Sequence, residues 1–266
     1  MIESLDLDKK TFLKKFKRIQ ERFYKKLQDY IKNPNDENIH DIRVAIRRLE
    51  AAHNIFPKNI REKEKNTNYI KQVKILFKLN AKVRDFDIIC AKMKSKYPDK
   101  TNDLISILKN ARIEKLSSAN EIALKILHLP IPKVSANILK KSKLSKRYLK
   151  VLDKIELDIQ KNTIIALADE KKIKELHMLR KSFKKIRYSL EMASDEVETI
   201  QIFNNLKEIQ DILGEIHDND VIIEYLQSIE QNSRYLGIIE SEILERRKKY
   251  QAFSSTFKKR RSRIDN

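Results

Sequence analysis

The sequence predicts an all-α protein: two four-helix bundles of long antiparallel helices, related by an internal duplication. Three observations carry that expectation. The 266 residues contain only 2 Gly and 5 Pro, too few for a protein of sheets and tight hairpins. Leu, Ile, Lys and Glu dominate, the composition of long helices. Two short motifs occur twice, in the same order, one copy in each half of the chain.

The breaks between helices are few. "KNPND", Lys32–Asp36, ends a helix predicted over 8–32 and offers Asp36 as the N-cap of the next, 37–56. Pro57 ends that second helix, and a third is expected over 60–96. "YPDKTND" breaks the chain near Pro98, before a fourth helix over 100–128. "LPIPK", Leu129–Lys133, carries two prolines and is the strongest break. It divides the chain into a first repeat, 1–130, and a second, 131–266. The second repeat reads as helices over 134–168 (with a break near Leu144), 170–193, 197–232 and 234–258. Four helices per half is the count of a four-helix bundle.

No apolar run approaches the roughly 18 residues that a membrane span requires, and no N-terminal stretch resembles a signal peptide. The expectation is a cytoplasmic protein with no membrane insertion. Cys90 is the sole cysteine, so no internal disulfide forms, and its apolar neighbours predict a buried, inert thiol.

The first motif is "HDIRVAIRRLEAAHNIF", His40–Phe56, matched by "HMLRKSFKKIRYSLEMA", His177–Ala193. His40 aligns with His177, Arg43 with Arg180, Arg47 with Lys184 and Arg48 with Lys185, at an offset of 137 residues. The apolar Ile42, Ile46 and Leu49 align with Leu179, Phe183 and Ile186. The second motif pairs "AKVRDFDII", Ala81–Ile89, with "GEIHDNDVI", Gly214–Ile222, at an offset of 133. The offsets differ by four residues, about one helical turn. Two motifs repeated in order make an internal duplication.

On a helix, His40, Arg43 and Arg47 form one stripe beside the apolar face. Arg180, Lys184, Arg187 and Glu191 repeat it beside His177. Like charges one turn apart repel by roughly 0.2–0.5 kcal/mol per pair, a cost that a bound anion removes. Further stripes run through Lys71, Lys74, Lys78 and Lys82, and through Lys143, Arg147, Lys150 and Lys154. Lys14 or Lys15, with Arg18 and Arg22, offers another near the start of the chain. The net charge is +20. A cation on every turn matches a linear polyanion better than one small phosphate ligand, and no Gly-rich phosphate loop exists.

The paired H-x-x-R-x-x-x-[RK]-[RK] helices, each followed by a D-x-D element, resemble the conserved histidine α-helical domain, the CHAD domain. The resemblance covers nearly the whole chain as one such domain. It implies two four-helix bundles related by pseudo-twofold symmetry, with inorganic polyphosphate, or another polyanion, bound in a basic groove or pore between them at polyphosphate granules. Carried over, the binding residues are His40, Arg43, Arg47 and Arg48, with His177, Arg180, Lys184 and Lys185. The stripes add Lys74, Lys78, Lys82, Arg147, Lys150 and Arg187 as candidates. Asp85 and Asp218 carry over as acids that orient the arginines. The second repeat departs from the first: His217 replaces Arg84, while Asp211 and Glu215 replace Lys78 and Lys82.

Two other readings stand beside this one. The His-Asp pairs at His40-Asp41 and His217-Asp218 suggest a metal-dependent phosphohydrolase. Yet they become His177-Met178 and Arg84-Asp85 across the repeats, and arginine is no metal ligand. The expectation is therefore no enzyme, no metal and no cofactor. The alternative function is nucleic-acid binding, which the net charge and the basic tail "FKKRRSR", Phe257–Arg263, allow. Oligomeric state is not legible in the sequence.

Overall fold

The protein is described here from a computed structural model that covers residues 7–193, 197–229 and 232–262, with side chains of 206–229 and 233–258 in the last two segments. The described residues are helical throughout and include no strand. The helices are α1 (Lys9–Lys32), α2 (Asp36–Ile55), a single turn α3 (Lys58–Arg61), α4 (Glu64–Lys96) and α5 (Asn102–His128). They continue as α6 (Lys141–Ala168), α7 (Ile173–Leu190), α8 (Val197–Ser228) and α9 (Leu236–Ser262). No described helix is long and apolar enough to cross a membrane.

The expected spans hold to within a few residues, and the departures have local causes. Asn35, not Asp36, caps α2: its backbone is extended and its side chain accepts from Asn38 N at 2.8 Å. Asp36 becomes the first helical residue, where its charge faces the positive helix end. The helix expected from 60 is split. Asn66 Nδ2 donates to Ile60 O at 2.6 Å, which ties off α3 before α4 starts. The helix expected from 134 begins only at Lys141. Ser135 takes the backbone N–H of Asn137 at 3.3 Å in a short 3₁₀ turn instead. Cys90 is half-buried rather than buried, and burial pushes its thiol pKa up.

The chain forms two compact units: residues 1–153 with 188–194, and residues 154–187 with 195–266. The boundary falls inside α6, not at the Leu129–Lys133 break. In the first unit, the apolar faces of α1 and α2 meet over a short loop. Phe12 and Phe16 stand edge-on to Phe56, with ring centroids 5.0 and 4.8 Å apart. Ile42, Ile46 and Leu49 are buried, as the motif predicts. The second unit buries Leu176, Leu179 and Phe183 of α7 against Leu213, Ile216 and Phe253. Each motif helix thus turns its apolar face inward, and the stripe beside that face is left at its edge.

Candidate functional site

His40 and His177 are each the fifth residue of their helix. His40 is exposed and His177 half-buried. In the first unit, Arg43 and Arg47 of α2 are half-buried and reach across to Phe77 of α4. Both guanidinium carbons sit over the Phe77 ring, at 4.3 and 5.1 Å from its centroid. Arg43 Nη1 also donates to Phe77 O at 2.8 Å. Cation–π contact with one ring fixes two long side chains one turn apart. Lys74, Lys78 and Lys82 are exposed on α4, on either side of Phe77 in sequence. Phe77 was not among the sequence candidates. Its only signal is an aromatic residue inside a lysine stripe.

Arg48 does not share that face. Its Nε donates to Glu191 Oε2 at 2.9 Å and its guanidinium lies over Tyr188. Arg147 Nε donates to Asn54 O at 3.0 Å, at the C-terminal end of α2. Lys150 and Arg147 line an open basin together with Arg61 and Lys58. The sequence reading put this α6 stripe in the second repeat, whereas its residues up to Lys150 lie in the first unit.

In the second unit, His177 Nδ1 stands 3.1 Å from His217 Nδ1. One imidazole must donate and the other accept. His217 is held down at about 2, first by burial and then by the charges of Arg180, His177, Lys184 and Lys181. His177, Arg180 and Lys184 thus stand near one neutral imidazole. Lys185 is exposed and Arg187 half-buried. In the sequence His217 stands out as the departure at the Arg84 position and as half of a His-Asp pair, not as a partner of His177.

Asp85 and Asp218 are half-buried. The second acid of each D-x-D also holds an arginine. Arg112 Nε of α5 donates to Asp87 Oδ1 at 2.6 Å, and its Nη2 donates to Pro34 O at 2.7 Å. Arg246 Nε of α9 donates to Asp220 Oδ1, and its Nη2 donates to Glu170 O at 3.0 Å. Pro34 and Glu170 lie in the loops just before α2 and α7. Each acid therefore holds an arginine that grips the chain where a histidine helix begins. Burial pushes both carboxyl pKa values up against the opposing pull of the arginines. Among the described residues no cluster of His, Cys, Asp or Glu is arranged to hold a metal ion.

The fold and site define an all-helical domain with a histidine-led basic helix in each of two units. The CHAD domain family matches residues 17–227, and the chain belongs to that family. It is similar in fold to the crystal structure of the CHAD domain from the plant Ricinus communis, with a TM-score of 0.68 at 16% identity over 96% of this chain and 94% of that one. It is also similar to PptA from Streptomyces chartreusis, with a TM-score of 0.63 at 13% identity over 95% of this chain and 98% of that one. No curated protein matches it.

Proposed function

We propose that this protein binds long-chain inorganic polyphosphate along the basic stripes of its histidine helices, and performs no chemistry on it. The observation that carries the reading is the docking of Arg43 and Arg47 on Phe77 beside the exposed lysines of α4. Two guanidiniums held one turn apart present fork-shaped donors at a repeated spacing. A linear phosphate chain meets that spacing again and again, whereas an isolated phosphate meets it once. Family membership supports the same reading, as do the stripe around His217 and the net charge of +20. On this reading the protein works in the cytoplasm at polyphosphate granules.

Nucleic acid is the competing ligand, favoured by the basic run at Lys258–Arg261. Competition decides between them. Affinity for fluorescent long-chain polyphosphate is measured at several salt concentrations, with DNA and RNA as competitors matched in phosphate. The expected result is tight binding that falls steeply with salt as counterions are released, and nucleic acid that competes only at large excess. Equal competition by DNA or RNA would overturn the polyphosphate reading. Phosphate release by the purified protein with Mg²⁺ or Mn²⁺ would overturn the non-catalytic part.

A further inference from the structure

The C-terminal end of α2 gathers more positive charge than the fold itself needs. Arg61 Nε donates to Phe56 O at 2.9 Å and Arg147 Nε to Asn54 O at 3.0 Å. Both guanidiniums cap the same helix end, which offers only about half a negative charge. Burial disfavours the charged form of Arg147, and the neighbouring Arg61 adds to that. Around them lies an open basin. Lys58 and Lys63 come from the α3 side, Lys143 and Lys146 from α6. All four lysines are exposed. The one carboxylate lining the basin is Glu62, which pairs with Lys58 at 3.7 Å.

This basin lies in the same unit as the Phe77 stripe. From Arg47 to Asn54 is seven residues of α2, about 10 Å along the helix. Seven residues are nearly two full turns, so Asn54, whose carbonyl accepts from Arg147, lies on the same face of α2 as Arg43 and Arg47. Cations therefore continue along that face from Arg43 and Arg47 to Arg147, with Arg61 beside it at the helix end.

We propose that the basin between α3 and the start of α6 is a second polyanion subsite, which takes the continuing length of a polyphosphate chain bound along α2 and α4. The inference rests on the polyphosphate reading and adds to it a physical source of chain-length preference. A short phosphate fills one subsite at a time. A long chain spans both and gains from the second without a second loss of translational freedom.

The test compares tripolyphosphate with long-chain polyphosphate on three proteins: wild type, a basin variant (K58Q/K63Q/K143Q/K146Q) and a stripe variant (R43Q/R47Q). Arg61 and Arg147 are left in place because they cap α2. Circular dichroism and melting temperature establish that each variant is folded. The basin variant is expected to lose about tenfold or more in affinity for the long chain, to hold tripolyphosphate within about twofold, and to lower the salt slope by about three for four lost contacts. Unchanged long-chain affinity and slope in the basin variant would overturn the inference. So would an equal loss for both ligands, which makes the basin an independent site. A stripe variant that binds both ligands like wild type overturns the polyphosphate reading itself, and so separates the two failures.

Discussion

The two units share a frame and differ in what surrounds it. In both, an acid of the D-x-D element holds an arginine that grips the loop before the histidine helix: Asp87, Arg112 and Pro34 in one, Asp220, Arg246 and Glu170 in the other. Next to that frame the chemistry diverges. The residue before the acid is Phe86 in the first unit and Asn219 in the second. The residue one turn before the arginine is Leu108 in the first and Glu242 in the second. Phe86 and Leu108 pack as core. Asn219 and Glu242 are fully buried and hydrogen-bonded to each other at 2.5 Å.

Lys249 is drawn toward the same region. It donates to Asn219 Oδ1 at 2.9 Å and pairs with Glu245 at 2.8 Å and Glu215 at 3.6 Å. Where the first unit shows Lys82, the second shows Glu215. Local carboxylates thus answer part of the positive charge in the second unit, while the stripe on α4 stays lysine-rich. The difference teaches that the part the units share is the device that sets a helix in place, and the divergent part is the charge it presents.

If the frame is common, breaking it should cost the same in either unit. Asp87→Ala and Asp220→Ala each leave a largely buried arginine without its acid, and each should destabilise the protein by about 3–5 kcal/mol. Denaturant melts of both variants check this. A loss confined to one unit would mean the frame is not shared.

The stripes should differ. R43Q/R47Q removes two charge-assisted donor sets, and should weaken polyphosphate binding by about a hundredfold. R180Q/K184Q in the more acidic unit should weaken it by about tenfold. Titration calorimetry of both double variants at one salt concentration checks the ratio, and equal losses would erase the asymmetry.

Acid should also separate the units. An unperturbed histidine titrates near 6.5. His53 is held at about 4 and His217 at about 2, both chiefly by burial. Between those values and 6.5 the unfolded chain binds protons that the native protein refuses, so stability falls as pH drops. At pH 5 each histidine should account for about 1–2 kcal/mol of that loss. Below pH 4 the contribution of His53 levels off while that of His217 continues. His217→Gln should therefore flatten the acid limb further than His53→Gln, as measured by denaturant midpoints from pH 7 to pH 3.

The smallest expected effect is a gain. Glu215→Lys restores the first-unit charge at that position and releases Lys249 from one partner. It should raise polyphosphate affinity about threefold at low salt. No change at low salt would remove position 215 from the comparison.

Much of the fold was legible in the sequence because helices announce themselves locally. Apolar residues at helical spacing, sparse Gly and Pro, and the breaks at Pro34, Pro57, Pro98 and Pro130 are enough to count and bound the long helices. Ile42, Ile46 and Leu49 were placed in the core by spacing alone, and they are buried there. The repeated His-x-x-Arg stripes were legible for the same reason. The site was only partly legible. Arg43 and Arg47 stand out by their spacing on α2, but Phe77, which both guanidiniums cover, lies 34 and 30 residues away on α4.

By itself, then, the sequence determined an all-helical chain, which faces of its helices go inward, and where the cations line up, since each depends on residues within a turn or two. Only the tertiary structure decided which cations share a surface. It drew Arg48 away to Glu191, set His177 against His217, and brought Arg147 to the end of α2. It also gave the arginine grips to Asp87 and Asp220, the second acid of each pair. The physical reason is common to all of these. A side chain's partner across a helix pair is fixed by where two helices cross, and that geometry is set by the packing of the whole core, not by spacing along one strand of text.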